Sequence, residues 1–382
     1  MVYLDNAATT FPKPKCVYER VNEVQINSAV NVGRGSYRIA EKATQIVDET
    51  RSLLSSLVGI DNPNNVVFSP SATIASNEII FGLNWDSYKV VYLSPFEHNA
   101  IARPLEMIRK KFGIIIKILP FDGETQKLDV KEMERQFALN NPDYIFLNHV
   151  SNVTGLILPV EEIARCAKHY GATVIVDGSQ SVGLIEYDLK NSYIDYLIFA
   201  GHKNLYSSWG IGGFIANTTE PLINPFFAGG TGSDSLNLEM AFSTPNGFEF
   251  GSPNIISIAS LNSSIKWLNE TGLHIVAKKK EYLMNKLING LKNEANIKLY
   301  LPSDLSNHTS VLSLNVFDYE PSEVGMILDS EFDIAVRTGY HCAPYIHDLI
   351  NTKDTMGTVR ISLSYFNTES DINTLISAIR SL

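Results

Sequence analysis

The chain has little cysteine, no surplus of positive charge and no long apolar run. Three cysteines in 382 residues, Cys16, Cys166 and Cys342, are too few for a disulfide framework, and a reducing, cytoplasmic setting is expected. Lysine and arginine number 31 against 41 aspartates and glutamates, a net charge of −10. That balance argues against a nucleic-acid or anionic-membrane surface. No apolar stretch approaches the roughly 18 residues that a membrane-spanning helix needs. The opening Met-Val-Tyr-Leu-Asp-Asn has neither the basic start nor the apolar stretch of a secretory signal, and none is expected. Internal repeats and low-complexity tracts are also lacking. What is present is an ordinary balance, 45% hydrophobic and 19% charged, in a chain long enough for a large core and two domains.

From about residue 40 to residue 216, short apolar runs alternate with helical patterns. Strands are predicted at Val66–Phe68, Val90–Ser94, Ile114–Leu119, Tyr144–Asn148, Thr173–Asp177, Tyr196–Phe199 and Gly212–Ala216. Helices are predicted between most of them, at Thr73–Leu83, Ile101–Phe112, Val130–Leu139 and Val160–Tyr170. This alternation implies an α/β fold, a large domain with a mainly parallel seven-stranded sheet covered by helices. From Phe226 to Asn254 the pattern gives way to Gly, Ser, Asn and Pro, including Gly-Gly-Thr-Gly-Ser at 229–233, as in a long functional connection. A helical stretch over about 258–293 follows. Next come a strand at Val311–Val316, a helix at Ser322–Glu331, short strands at Ile334–Val336 and Thr358–Ser362, and a last helix at Thr368–Arg380. The expected division is a large domain over 15–255 and a smaller α+β domain made of 1–14 and 256–382.

Ligands in such sheets bind beyond the carboxyl ends of the strands, and chemistry-bearing residues stand there. One run reads Ala172-Thr-Val-Ile-Val-Asp177-Gly-Ser-Gln180, another Asp195-Tyr-Leu-Ile-Phe-Ala-Gly-His202-Lys203. A lysine past one strand and an acid ending another suit pyridoxal phosphate. The lysine holds it as an imine and the acid keeps its ring nitrogen protonated. Gln180 can reach the phenolic oxygen, and His98 can stack on the ring. Asn152 supplies an amide at a tight turn. Ser69-Pro-Ser-Ala72-Thr73 is a small-residue turn into a helix, where free N–H groups favour a phosphate. Each of these residues alone also suits a plain turn or cap; together they point to one site.

Two further residues bear on the reaction. Cys342 lies in Ala335-Val-Arg337-Thr-Gly-Tyr340-His341-Cys342-Ala-Pro344, a glycine-containing loop after a short strand. Arg337, or His341 if protonated, would favour its thiolate. Cys16 and Cys166 lie in helical patterns and suit core packing. Arg360, in Gly357-Thr-Val-Arg360-Ile-Ser362, is either a carboxylate fork or one end of a surface salt bridge. His341, Cys342 and His347 lack a second pair of ligands at metal-binding spacing, so no metal is expected.

These residues resemble the class V, fold-type I pyridoxal-phosphate enzymes, and within them the cysteine desulfurase and selenocysteine lyase group. The resemblance rests on Tyr3-Leu-Asp-Asn-Ala-Ala-Thr-Thr10, Asn31-Val-Gly-Arg34-Gly, Glu97-His98-Asn-Ala, Ser151-Asn152-Val-Thr-Gly155 and Val176-Asp177-Gly-Ser-Gln180. It continues through Gly201-His202-Lys203, Phe248-Glu-Phe-Gly-Ser252-Pro-Asn254, the loop of Cys342 and Arg360-Ile-Ser-Leu-Ser-Tyr-Phe-Asn-Thr368, so it spans the chain. It implies that Lys203 holds the cofactor and shuttles protons, and that His98 stacks on the ring. Ala72, Thr73, Asn152, Asp177, Gln180 and His202 would complete the cofactor site. Ser252 would reach the phosphate of a neighbouring subunit in a homodimer with shared sites. Arg360 would clamp the substrate carboxylate beside Asn152, Arg337 and Ala7. Cys342 would take sulfur from L-cysteine, or selenium from selenocysteine, and pass it to an acceptor protein.

The sequence departs from the family at Ala200, where Ser or Thr is usual, and at Ser252, where Thr is usual. Tyr340 stands where His is frequent, and Ser208-Trp209 replaces a Gly-Pro pair. The competing functions are a class V aminotransferase, epimerase or other lyase acting on a different amino acid, and a sulfur-carrier scaffold without turnover.

Overall fold

The structure, a computed structural model, describes residues 1–33, 35–231 and 236–382. Arg34 of the Asn31-Val-Gly-Arg34-Gly motif, and Gly232 and Ser233 of the glycine-rich run, lie outside the described residues. Thirteen strands occur among those described: β1 (Val2–Tyr3), β2 (Val66–Ser69), β3 (Val90–Leu93), β4 (Ile115–Ile118), β5 (Tyr144–Asn148), β6 (Thr173–Asp177), β7 (Tyr196–Ala200), β8 (Gly212–Ala216), β9 (Ile297–Tyr300), β10 (Val311–Val316), β11 (Ile334–Ala335), β12 (Arg337–Gly339) and β13 (Thr358–Ser362).

Seven strands form one sheet in the order β2-β8-β7-β6-β5-β3-β4. Only β8 runs antiparallel to its neighbours; the other pairings are parallel. Alternate residues of each strand enter opposite cores, as the two-residue repeat of a strand requires. Val174, Val176, Leu197 and Phe199 face one core, and Ile175, Tyr196, Ile198 and Phe214 face the other. Burial on both faces explains the continuous apolar runs. Chain order reverses between β3 and β5, which places a crevice at their carboxyl ends.

The second sheet, β12-β13-β10-β9, is antiparallel throughout. Val359, Ile361, Leu312 and Leu314 point into its own core. The alternate residues Ser313 and Arg360 therefore face the large sheet. Ser313 donates there to the Val153 carbonyl at 2.7 Å.

The helical stretch expected over 258–293 is two helices, Ile255–Thr271 and Leu273–Leu291, separated at Gly272 with φ +89°. That backbone conformation suits glycine. The expected division at residue 255 falls at the start of the first of these helices. Ile258, Leu261, Ile265 and Leu268 join the core of the large sheet, against helices Lys15–Asn27 and Arg38–Leu57. The small core takes its first helical residues only from Leu283 onward. Leu4 belongs to that core, and β1 pairs with β11, so the N-terminal segment ties to the small part. Among the described residues, no helix is long and apolar enough to cross a membrane.

Candidate active site

A cavity of about 170 Å³ opens beyond the strand ends. Its lining includes Ala7, Ala72, Thr73, His98, Asn152, Asp177, Gln180, His202, Lys203, Arg337 and Arg360. Eleven of the thirteen residues singled out from the sequence thus meet in one place. Register explains the convergence: Asp177 ends β6 directly beside Asn148, the end of β5. Lys203 follows β7 by three residues, and His98 follows β3 by five.

At one end of the cavity the helix Ala72–Gly82 begins. The Ser71 hydroxyl accepts from the Ile74 N–H at 3.2 Å, leaving the first N–H groups of the helix for another acceptor. Gly212 of β8 lets this turn approach the sheet: a Cβ there would lie 2.6 Å from the Ala72 nitrogen. The His202 ring stacks on Trp209, centroids 4.1 Å apart. Its Nδ1 is buried without a hydrogen-bond partner. Burial and Lys203 lower the His202 pKa to about 3, so the ring is neutral. Ala200 presents only a methyl to the cavity; Ser71 and Ser179 line it with hydroxyls, which the sequence left without roles. The Ser208-Trp209 departure therefore lies against His202.

The middle of the cavity holds Asp177, whose Oδ1 accepts from the Ser179 N–H at 2.9 Å. Gln180 Nε2 donates to the Ala7 carbonyl at 2.8 Å. His98 caps the helix Asn99–Phe112, its Nδ1 accepting from the Ala100 N–H at 3.0 Å. That bond fixes the ring and leaves the proton on Nε2. Burial, then Lys203, brings the His98 pKa down to about 4. Glu97 beneath it is fully buried, and desolvation raises its carboxyl to about 8. It accepts from Ser94 Oγ at 2.5 Å and from the Asn148 N–H at 2.6 Å.

Lys203 is held from the N-terminal segment. Thr10 Oγ1 donates to its carbonyl at 2.8 Å, while Thr9 Oγ1 and Lys13 Nζ donate to the His202 carbonyl at 3.0 and 2.8 Å. Burial lowers the Lys203 amine to about 8, helped by Arg360 and Arg337 and opposed by Asp177 and Cys342. A free amine is therefore accessible near neutral pH.

Arg360 is almost fully buried. One Nη bonds Asp5 Oδ1 at 2.6 Å and the other bonds the Asn152 carbonyl at 3.0 Å. Its Nε is buried without a partner, so one donor is unspent. Asn152 Nδ2 in turn donates to the His341 carbonyl at 2.8 Å. The surface salt bridge expected as the alternative for Arg360 is corrected: the guanidinium is buried, and its ion pair with Asp5 lies inside the site.

Cys342 stands outside the first cavity, in an adjoining vestibule of about 600 Å³ that shares Arg337 and His341 with it. Arg337 Nη2 lies 3.2 Å from Cys342 Sγ. His341 and Cys342 both have left-handed backbone, φ +49° and +59°. The Asn99 N–H donates to the Cys342 carbonyl at 2.7 Å, pinning the loop to the helix that His98 caps. The expected alternative of a protonated His341 is corrected. Burial holds its pKa well below the ordinary value, and its Nε2 bonds Thr358, so Arg337 rather than His341 is the cation in contact with the sulfur. His347 is engaged by Thr352 and the Tyr340 carbonyl. Among the described residues, no cluster of His, Cys, Asp and Glu is arranged to hold a metal. Cys16 and Cys166 are partly buried, and Cys166 packs on the large core.

Ser252 is exposed, just before the helix Ile255–Thr271, and does not line this cavity. Asp5, Asn148, Lys13 and Trp209 went unassigned in the sequence. Asp5, Asn6 and Thr10 all fall in one quoted motif, whose density of polar residues was the available clue.

Residues 2–375 match the family described as aminotransferase class-V. The chain belongs to the class-V aminotransferases. Class-V enzymes use pyridoxal 5'-phosphate, and this cavity fits it. Buried His202 Nδ1 and the open helix start suit a phosphate, Asp177 suits a pyridinium, and Lys203 suits an aldehyde. Among curated class-V relatives, a protein of Pyrococcus abyssi described as a probable cysteine desulfurase is 31% identical over 390 residues, covering 100% of this chain and 94% of its own. Among solved structures, the apo structure of a cysteine desulfurase from Thermococcus onnurineus NA1 matches with a TM-score of 0.91 and 28% identity, over 100% of this chain and 95% of the other. A cysteine desulfurase from Escherichia coli, in an S-sulfonic acid form, matches with a TM-score of 0.86 and 25% identity, over 100% and 94%.

Proposed function

We propose that this class-V enzyme is a cysteine desulfurase that converts L-cysteine to L-alanine and collects the sulfur as a persulfide on Cys342. The observation that carries the proposal is the Arg337–Cys342 contact of 3.2 Å at the mouth of a lysine-centred cofactor cavity. The relatives described as cysteine desulfurases agree with it.

The geometry supports the following roles. Ala72, Thr73 and His202 would hold the cofactor phosphate, Asp177 and Gln180 would meet its ring edge, and His98 would stack on its face. Bound there, pyridoxal phosphate supplies an electron sink for the α-carbon of an amino acid. Arg360, which lines the cavity with its Nε donor unspent, receives the substrate carboxylate with Asn152, Arg337 and Ala7 alongside. Lys203, with its pKa near 8, moves the proton at the α-carbon. Cys342, as its thiolate and with Arg337 against the sulfur, attacks the substrate sulfur. An S–S bond forms, the C–S bond breaks, and its electron pair stays on carbon, which takes a proton to give alanine. Selenocysteine suits the same path through its weaker C–Se bond.

Two wider roles belong to the same proposal. The enzyme works as a homodimer in which exposed Ser252 reaches the cofactor phosphate of the partner copy. Exposed Phe242, Leu236 and Leu238, in the same connection, are consistent with a covered surface. The three unpaired cysteines suit a reducing, cytoplasmic setting.

Replacement of Cys342 by Ser tests the function. Sulfide release from L-cysteine under a thiol reductant is expected to fall at least about a hundredfold, with the cofactor still bound. Undiminished release would sink the persulfide route. A substrate screen that yields a keto acid instead of alanine would favour an aminotransferase.

A further inference from the structure

The vestibule outside Cys342 has a charge pattern at odds with the rest of the chain. The protein carries −10 overall, yet the charged residues lining this hollow are Arg103, Arg337 and Lys353, with no acid among them. Arg103 is exposed and has no carboxylate within ion-pair distance among the described residues. Arg337 is turned to the Cys342 sulfur. Lys353 pairs with Asp348 at 2.5 Å, its one ion-pair partner among the described residues. The hollow is about 600 Å³, within the range of small-molecule sites, roughly 300–1,000 Å³. Tyr340 forms its rim, 42% exposed and donating to the Lys353 carbonyl at 3.2 Å.

We infer that the vestibule receives the sulfur acceptor, and that the acceptor is a small thiol bearing one or more carboxylates. The inference rests on the persulfide assigned to Cys342 above. The acceptor thiolate attacks the outer sulfur of the Cys342 persulfide. A new S–S bond forms on the acceptor, the old one breaks, and Cys342 leaves as a thiolate that Arg337 stabilises. No oxidant or reductant is needed. Arg103 and Lys353 draw the carboxylates in, because a concave site lined by one sign of charge raises the local concentration of the opposite sign. Tyr340, one of the departures from the family pattern, then borders the acceptor rather than the amino-acid substrate.

The test separates transfer from desulfuration. Holoenzyme is charged with L-cysteine, desalted, and mixed with mercaptosuccinate, 2-mercaptoethanol or cysteamine, which are anionic, neutral and cationic. Persulfide loss is followed and each rate is normalised to its thiolate fraction. Mercaptosuccinate is expected to react roughly tenfold faster than cysteamine at low ionic strength, and that gap is expected to close in high salt. Arg103→Glu should abolish or reverse the preference and leave single-turnover alanine formation from L-cysteine unchanged. Equal normalised rates for the three thiols, or a preference that survives Arg103→Glu, would overturn the inference while leaving the desulfurase intact. Failure of all three thiols to discharge the persulfide would overturn it in favour of a protein acceptor. If no persulfide forms, the desulfurase proposal falls and this inference with it.

Discussion

Lys203 and Arg360 show how two buried cations share one site. Asp177 opposes the fall in the Lys203 pKa, and Asp5 neutralises Arg360. The Lys203 value near 8 means that about a tenth of the amine is free at pH 7 and about nine-tenths at pH 9. Cofactor uptake by cofactor-free enzyme, followed by absorbance, should therefore rise roughly tenfold over that interval and then level off. A rise that continued toward pH 10 would indicate an ordinary lysine. Asp5→Asn keeps a hydrogen-bond acceptor for Arg360 but removes the competing charge. Affinity for L-cysteine is expected to rise roughly threefold to tenfold, since each ~1.4 kcal/mol is a factor of ten. Asp5→Ala also removes the acceptor that orients the guanidinium, so kcat/KM should fall. Steady-state kinetics on the two variants check this pair. Lys203, Asp177 and Arg360 were legible because each stands at the end of an apolar run or within a strand. The Asp5–Arg360 pair was not, because 355 residues separate its members and only the packing of the small sheet joins them.

At the scale of elements, the long and strongly patterned segments were read with small shifts. β5, β6, β8, β10 and β13 match their predicted limits. β1, β9 and β12 were missed, since Val2-Tyr3 and Ile297-Lys-Leu-Tyr300 are short and Arg337-Thr-Gly339 has no apolar residue. The helix break at Gly272 was missed because apolar spacing continues across it. The second of those helices carries Lys280, buried and bonded only to Asn204 Oδ1 at 2.7 Å, with no carboxylate partner among the described residues. Burial lowers its amine to about 7. The folded state thus pays the full cost of a buried charge below pH 7. Between pH 7 and the ordinary lysine value the folded state holds fewer protons than the unfolded one, so stability from this group rises with pH. Lys280→Met should stabilise the protein by about 2–4 kcal/mol at pH 6, after the lost hydrogen bond is subtracted, and by less at pH 9. Denaturant unfolding at the two pH values measures it, and a gain that grew with pH would contradict the argument.

At the scale of the molecule, the parallel sheet carries the cofactor cavity and the smaller antiparallel sheet carries Arg360 and the Cys342 loop. The two meet through β1 and the segment that follows it, where Ser362 bonds the Ala7 N–H at 2.8 Å, and through Ser313 on the Val153 carbonyl. The sequence showed the site as residues at strand ends but could not show that Cys342 occupies a second hollow with its own charge. The most direct measurement is intact and peptide mass analysis after one turnover with L-cysteine and no reductant. The account predicts one added sulfur on the Cys342 peptide, none on Cys16 or Cys166, and one alanine per modified subunit. Alanine without added mass on Cys342, or the sulfur on another cysteine, would contradict it.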